Sequence, residues 1–480
     1  MNEIATDAPD VVLLHSNDIH SRLEQAARMA AYIEEVRSSH GADHVLTLDI
    51  GDHMDRMRVE TEASDGLANI ALLNDAGYDA VTIGNNEGLT FTQHQLDEAY
   101  GEHARFQTVC ANFFNADTKQ RPSWMLPSTI IHKAGIRFGL IGVSAAFVAF
   151  YELLDWDVTD PLHEVAEQAK QLRTQVDVLI IMSHLGITLD RRMAQEIPGI
   201  DLILGAHTHH LLETAEVIGS THVCAAGKFG EYMGRVDIWF NFETKQPRFQ
   251  AACTPMEARV EQPEAAAIIG RYKAEGELRL SRVVAVLDAP LPLSAERESP
   301  LGNLLAAGLR RWTDADIGIV NAGQLLSSLT AGEVTAGDLH ALCPSPINPC
   351  RMKLSGEMIR LSLEEALLPE YIDKPIRGFG FRGLVLGTLA VDGLTIEYVP
   401  GNPALHRIVS ILVNGEPLQD DRLYIVGTID MFTFGIGYEK LKNGQEISYY
   451  LPEFIRGVLE QELQNKEAIA ASRHKRWLAV

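Results

Sequence analysis

Five short polar clusters in this chain each follow an apolar run, and their residue types are those that bind cations. They are Asn17-Asp18-Ile19-His20, Asp49-Ile50-Gly51-Asp52, Gly84-Asn85-Asn86-Glu87, Ser183-His184-Leu185-Gly186 and Gly205-Ala206-His207-Thr208-His209-His210. One such cluster would mean little, because a histidine after a strand is commonly a loop residue or a cap. Together, Asp18, His20, Asp52, Asn85, His184, His207 and His209 offer a mixed oxygen and nitrogen set that suits two divalent cations. Two cations ~3.5–4 Å apart need a shared ligand, and a carboxylate can turn one oxygen to each. Asp52 is the choice here. Such a pair would generate hydroxide near neutral pH and neutralise a phosphoryl group during in-line attack.

The elements that must position these residues follow from hydrophobic periodicity. The pattern predicts strands over Val11 to Leu14, Val45 to Leu48, Ala80 to Ile83, Ile136 to Val143, Val176 to Met182 and Leu202 to Leu204. Helices are predicted over Gln25 to Val36, Asp65 to Ala76 and Leu162 to Leu172, and from Leu189. Strands alternating with helices imply a largely parallel sheet covered on its faces, whose carboxyl edge gathers the ligands. Arg235 to Phe242 alternates as an antiparallel closing strand would. An Ala- and Glu-rich helical stretch between Pro255 and Val283 reads as a linker. It separates a first domain, 1–255, from a second, 284–480, of different texture, with strands at Ile317 to Val320 and Gly393 to Val399.

Composition narrows the classes. The chain has 480 residues, 46% of them hydrophobic, and suits a two-domain globular enzyme. A formal net charge of −24 argues against nucleic-acid binding, so cations other than Lys and Arg must help hold any phosphate. Five cysteines, Cys110, Cys224, Cys253, Cys343 and Cys350, are not at metal-ligand spacing. Cys343 and Cys350 could pair, but a reduced compartment fits better. The acidic start shows no secretory pattern and no apolar run reaches the ~18 residues of a membrane span, so the expected location is cytoplasmic.

The order Asp-x-His, Gly-Asp, Gly-Asn-x-Glu, Ser-His-x-Gly, Gly-x-His-Thr-His resembles the calcineurin-like metallophosphoesterases. Within them it resembles the two-domain 5'-nucleotidases that include UDP-sugar hydrolase and 2',3'-cyclic-nucleotide phosphodiesterase. Glu298 to Leu304, Asn321-Ala322-Gly323, Ser355-Gly356, Asp392-Gly393-Leu394 and Gly435-Ile436-Gly437-Tyr438 resemble that family's C-terminal motifs. The resemblance implies a four-layered α/β/β/α metallophosphoesterase domain joined by a linker helix to a second α/β, substrate-binding domain that rotates against it. It also implies Asp18, His20, Asp52 and His209 on one metal, and Asp52, Asn85, His184 and His207 on the other. The ligand set suits Mn²⁺ or Zn²⁺ first, Fe or Co²⁺ next and Mg²⁺ least. The implied partner is a small phosphate ester of nucleotide type.

Two departures stand out against the family pattern. Gly-Asn-His-Glu is usual, with an Asp two residues after the Glu, and the His–Asp pair assists the leaving oxygen; here those positions are Asn86 and Leu89. Asn86 can donate to a phosphate oxygen but cannot deliver a proton, a loss of ~10²–10⁴-fold that good leaving groups would hide. His53 and His94 are open as replacement acids or as packing and surface residues. In the second domain the substrate-holding Arg position is Leu326, and of the two base-stacking rings the first is Thr388 while the second matches Tyr438. Asn321, Gly323, Phe379, Phe381 and Arg377 complete the candidate pocket, with Arg382, Phe432 and Phe434 as further possibilities. Two functions therefore stand open: a dinuclear phosphoester hydrolase using Asp52 and Asn86, or a non-catalytic metal- and nucleotide-binding homologue.

Overall fold

The strand Val11–Ser16 is buried along its whole length and lies between an antiparallel neighbour, Tyr232–Asn241, and a parallel one, Val45–Asp49. Ala80–Val81, Gln107–Val109 and Met125–Leu126 extend the same sheet in parallel, and Gln246–Pro255 closes it antiparallel on the other side. The computed structural model describes residues 8–378 and 380–480. They divide into two units, Met1–Gly276 and Glu277–Val480, and the helix Pro263–Leu280 contains the division.

Strand alternation alone implied one largely parallel sheet and the family resemblance implied two; the first unit contains two. Ser128–Lys133 and Ile136–Ser144 form a hairpin that opens the second, and Ile136–Ser144, Val178–His184, Leu202–Gly205 and Thr221–Ala225 continue it in parallel. Periodicity reports that a strand is buried, not which strand it joins. Leu13, Leu46 and Leu48 of the first sheet share one apolar core with Phe138, Ile180 and Leu202 of the second. Each such side chain contributes roughly 1.5–3 kcal/mol on burial. On the far face of the second sheet, Ile141, Ile181 and Ile203 pack with Val165 and Met193 of the helices Pro161–Leu172 and Ile187–Glu196. The helices Leu23–His40 and Leu67–Ala76 pack together beside the first sheet. The four-layered α/β/β/α order follows.

The predicted helix Asp65 to Ala76 is shorter and preceded by another, Val59–Ala63, because Gly66 takes a left-handed φ of 87° between them. In the second unit, Ile317–Asn321, Leu389–Asp392, Leu423–Ile429, Pro349–Ser355 and Gln445–Tyr449 form a mixed sheet covered by the helix Pro300–Trp312. All five cysteines are free thiols. Among the described residues, no helix is long and apolar enough to cross a membrane.

Candidate metal centre

Parallel strands end at a common edge, and the polar clusters of the first unit meet there. Val11–Ser16 and Val45–Asp49 deliver Asp18, His20 and Asp52 through loops zipped together by backbone bonds: Asp18 N to Gly51 O at 3.0 Å and His20 N to Asp52 O at 2.9 Å. Ala80–Val81 leads through Gly84 into the short helix Asn85–Thr90, which starts with Asn85 and Asn86. From the second sheet, Val178–His184 ends on His184, and Leu202–Gly205 leads to His207 and His209.

Two groups of ligand atoms result, Asp18 with His20 and His209, and Asp18 with Asp52 and His184. His209 Nε2 is 3.4 Å from Asp18 Oδ1, and His20 Nε2 is 3.8 Å from both Asp18 Oδ1 and Asp52 Oδ2. On the other side His184 Nε2 is 3.4 Å from Asp52 Oδ1 and 3.3 Å from Asn85 Oδ1, to which His207 Nδ1 approaches within 2.8 Å. The structure thus brings all seven sequence candidates together, with Asp52 between His20 and His184.

The donor chemistry fits divalent cations. His184 Nδ1–H donates to Ile50 O at 2.7 Å, which keeps Nδ1 protonated and makes Nε2, on the Asp52 side, the atom a cation would take in place of its proton. Asp18 and Asp52 are buried, and among the described residues their only ion-pairing partners are histidines. Burying two carboxylates without a compensating cation is costly. Burial disfavours ionised Asp52, yet His184 and His20 prevail and hold its pKa well below the usual carboxylate range. Burial likewise opposes protonation of His184, but Asp52 and Asp18 push its pKa to about 10. Burial and the charge of His184 lower His207 to about 4.

Five of these residues carry backbone strain. Asp18, His20, Asp52, His207 and His209 have φ of 51°, 47°, 52°, 71° and 58°, each costing of order 1–3 kcal/mol. Glu87 holds the arrangement from behind: its carboxylate accepts from Asp52 N at 3.0 Å, Gly84 N at 2.9 Å and Met54 N at 2.8 Å. Burial, then Asp52, raises Glu87 to about 7. Asn17 Nδ2 similarly donates to Asp18 Oδ2 at 2.8 Å. Sequence reasoning gave Glu87 and Asn17 no role, although both sit inside the motifs.

Asn86 does not extend away from the cluster. Its backbone N–H donates to Asp52 Oδ1 at 2.7 Å, and its side-chain nitrogen meets His20 Nδ1 at 2.8 Å and Met54 O at 3.2 Å. His53 is buried against Asn69, and burial lowers its pKa to about 3. His94 is exposed on the short helix Gln93–Leu96. Packing and surface positions account for both.

The candidate pocket residues of the second unit differ from the sequence expectation. Tyr438, expected to present a ring, is fully buried: its hydroxyl donates to Gly387 O at 2.7 Å, and Tyr371 stacks on it at 5.6 Å and 7°. Asn321 Nδ2 donates to Leu386 O at 2.7 Å and Gly323 N to the same oxygen at 3.0 Å, so both fasten the segment 385–388. Phe381 is buried in the core, Arg377 is exposed, and Phe379 lies outside the described residues. Thr388 is buried with its hydroxyl on Ala366 O, and Leu326 is exposed. Tyr371 had no sequence signal beyond its residue type.

Comparison with known proteins identifies the family. Residues 11–211 match the calcineurin-like phosphoesterase family, and residues 283–443 the 5'-nucleotidase C-terminal domain. An uncharacterized metallophosphoesterase of Bacillus subtilis (strain 168), YunD, is 37% identical, with 94% of this chain and 98% of that protein covered. The trifunctional nucleotide phosphoesterase YfkN of the same organism is 29% identical over 92% of this chain and 33% of its own length. The crystal structure of a 5'-nucleotidase precursor from Thermus thermophilus shares the fold, with TM-score 0.58 at 22% identity, covering 98% of this chain and 99% of that one. The chain belongs to the calcineurin-like metallophosphoesterases that carry a 5'-nucleotidase C-terminal domain, a family of metal-dependent phosphoester hydrolases.

Proposed function

We propose that the chain is a dinuclear hydrolase of nucleotides or related phosphate esters, and that its lack of an acid at position 86 directs it to good leaving groups. The single observation that carries the proposal is the placement of Asp52 between His20 and His184. Asp18, His20, Asp52 and His209 would hold one cation, and Asp52, Asn85, His184 and His207 the other. Divalent cations bound there, Mn²⁺ or Zn²⁺ by ligand type, would acidify water for attack and neutralise the phosphoryl oxygens.

The protein's own residues supply position. Glu87 fixes the Asp52 loop through three N–H groups, and Ile50 O fixes the His184 tautomer. Asn86 orients His20. The nucleotide class is supported by the 5'-nucleotidase C-terminal domain and by the name of YfkN. The test is phosphate release from purified protein with Mn²⁺ against nucleoside monophosphates, cyclic nucleotides, UDP-sugars and aryl phosphates. No release from any of them would leave the non-catalytic reading standing.

A further inference from the structure

Two cations converge on one ring at the rim of this cluster. Arg22 Cζ lies 4.9 Å and Lys228 Nζ 4.6 Å from the centre of the Phe229 ring. That ring meets His20 edge-on at 5.7 Å and lies 6.4 Å from the His209 ring. Arg22 and Lys228 are both half-buried, and among the described residues neither makes an ion pair. Glu24, the acid nearest in sequence to Arg22, is paired with Arg58 and feels Arg22 only as a charge without an ion-pair contact. Unpaired cations beside a candidate centre are conspicuous in a chain of formal charge −24.

The segment that carries them is built at a cost. Phe229 has φ of 59°, an outlier for a bulky side chain, and is held by its N–H donating to Asp18 O at 2.7 Å. At Gly230 an added Cβ would press within 2.7 Å of Gln25, in the helix that Arg22 precedes. The Phe229 ring therefore has a fixed place between the cations and the metal-ligand histidines.

We propose that Arg22 and Lys228 form a receptor for a second, non-reacting phosphoryl group of a pyrophosphate-linked substrate, beside the phosphoryl group that would sit at His20 and His209. This rests on the phosphohydrolase reading and narrows its substrate class. A guanidinium and an ammonium are the groups that recognise phosphate, and a hydrogen bond to a charged group is worth roughly 10- to 100-fold in binding. A phosphate monoester has no second phosphoryl group to reach them.

The experiment compares wild type with Arg22→Gln/Lys228→Met and with the charge-preserving Arg22→Lys/Lys228→Arg, after thermal melting verifies folding of each. With Mn²⁺, the neutral pair should raise KM for a nucleoside diphosphate by about tenfold or more, while kcat and KM for the monophosphate stay within about twofold. The charge-preserving pair should stay near wild type on both. Calorimetry on metal-free protein gives a second readout: inorganic pyrophosphate should bind wild type more tightly than orthophosphate does, and the neutral pair should lose that preference. Equal losses on both substrates, or no preference for pyrophosphate in wild type, would overturn the proposal. If nothing is hydrolysed yet the cation-dependent pyrophosphate preference is found, the hydrolase reading fails and the receptor stands.

Discussion

The Asn86 side-chain nitrogen lies 2.8 Å from His20 Nδ1 and 3.2 Å from the Met54 carbonyl oxygen, so this residue is fastened to a candidate metal ligand. In this orientation the amide donates to Nδ1 and the imidazole proton sits on Nε2, the atom that faces Asp18, Asp52 and His209. A cation at Nε2 needs that proton on Nδ1, and Asn86 can then face it with its oxygen only by giving up its hydrogen bond to Met54 O. Position 86 thus sets a ligand's tautomer.

Substitution at position 86 should therefore change metal affinity. Asn86→Asp, which can only accept, should tighten Mn²⁺ binding, and Asn86→Leu should weaken it by about tenfold. Titration calorimetry with metal analysis of the dialysed proteins measures both. Equal affinities in all three proteins would remove the tautomer argument.

Leaving groups should matter more here than in an enzyme with an acid at this position. Across a series of aryl and alkyl phosphates, log(kcat/KM) should fall steeply as the leaving-group pKa rises, and Asn86→His should flatten the slope by restoring activity on alkyl esters by up to ~10²-fold. A flat wild-type series would contradict the idea.

Gly84 has little room. A Cβ there would collide with the Asp52 carboxylate and its amide nitrogen, so Gly84→Ala must displace the carboxylate between the two histidine groups. Activity should fall at least ~10²-fold while the melting temperature drops only a few degrees, since misplacing a reacting geometry by about 1 Å carries that penalty. Retained activity would mean that Asp52 is not where the chemistry occurs.

Asp430, in the second unit, gives a pH test away from the metal ligands. Burial pushes it up to about 7, against the opposing hydrogen bond from Asn348 N. The folded state then binds the proton more tightly than the unfolded chain, so the stabilisation is complete below about pH 4 and is lost as pH rises through 7. Asp430→Asn stays neutral, and its advantage over wild type should grow by several degrees in melting temperature between pH 5 and pH 8.5. A pH-independent difference would count against this titration.

The convergence of the candidate ligands was legible because each follows the end of a strand, where chain order alone predicts a common edge. The two-sheet arrangement was legible only through the family resemblance, which implied the four-layered order; periodicity did not carry it, since Val11–Ser16 and Val178–His184 look alike as apolar runs and only their neighbours separate them. The inward turn of Asn86 was also hidden, because it depends on Met54 O, a backbone atom from another loop. Arg22, Lys228 and Phe229 come from loops about 200 residues apart in sequence, and no local pattern joins them. Tyr371 covers Tyr438 by ring stacking, and the family motif at Gly435 to Tyr438 carries no trace of it.

The central claim is that Asp52 joins two cation sites in a working phosphohydrolase. Its most direct measurement is Mn²⁺-dependent phosphate release from the best substrate of the panel, wild type beside Asp52→Asn. The account predicts release by wild type and a loss of at least ~10³-fold in the variant, given the share that such charge stabilisation holds in catalysis. Turnover by Asp52→Asn at a rate close to wild type would contradict it.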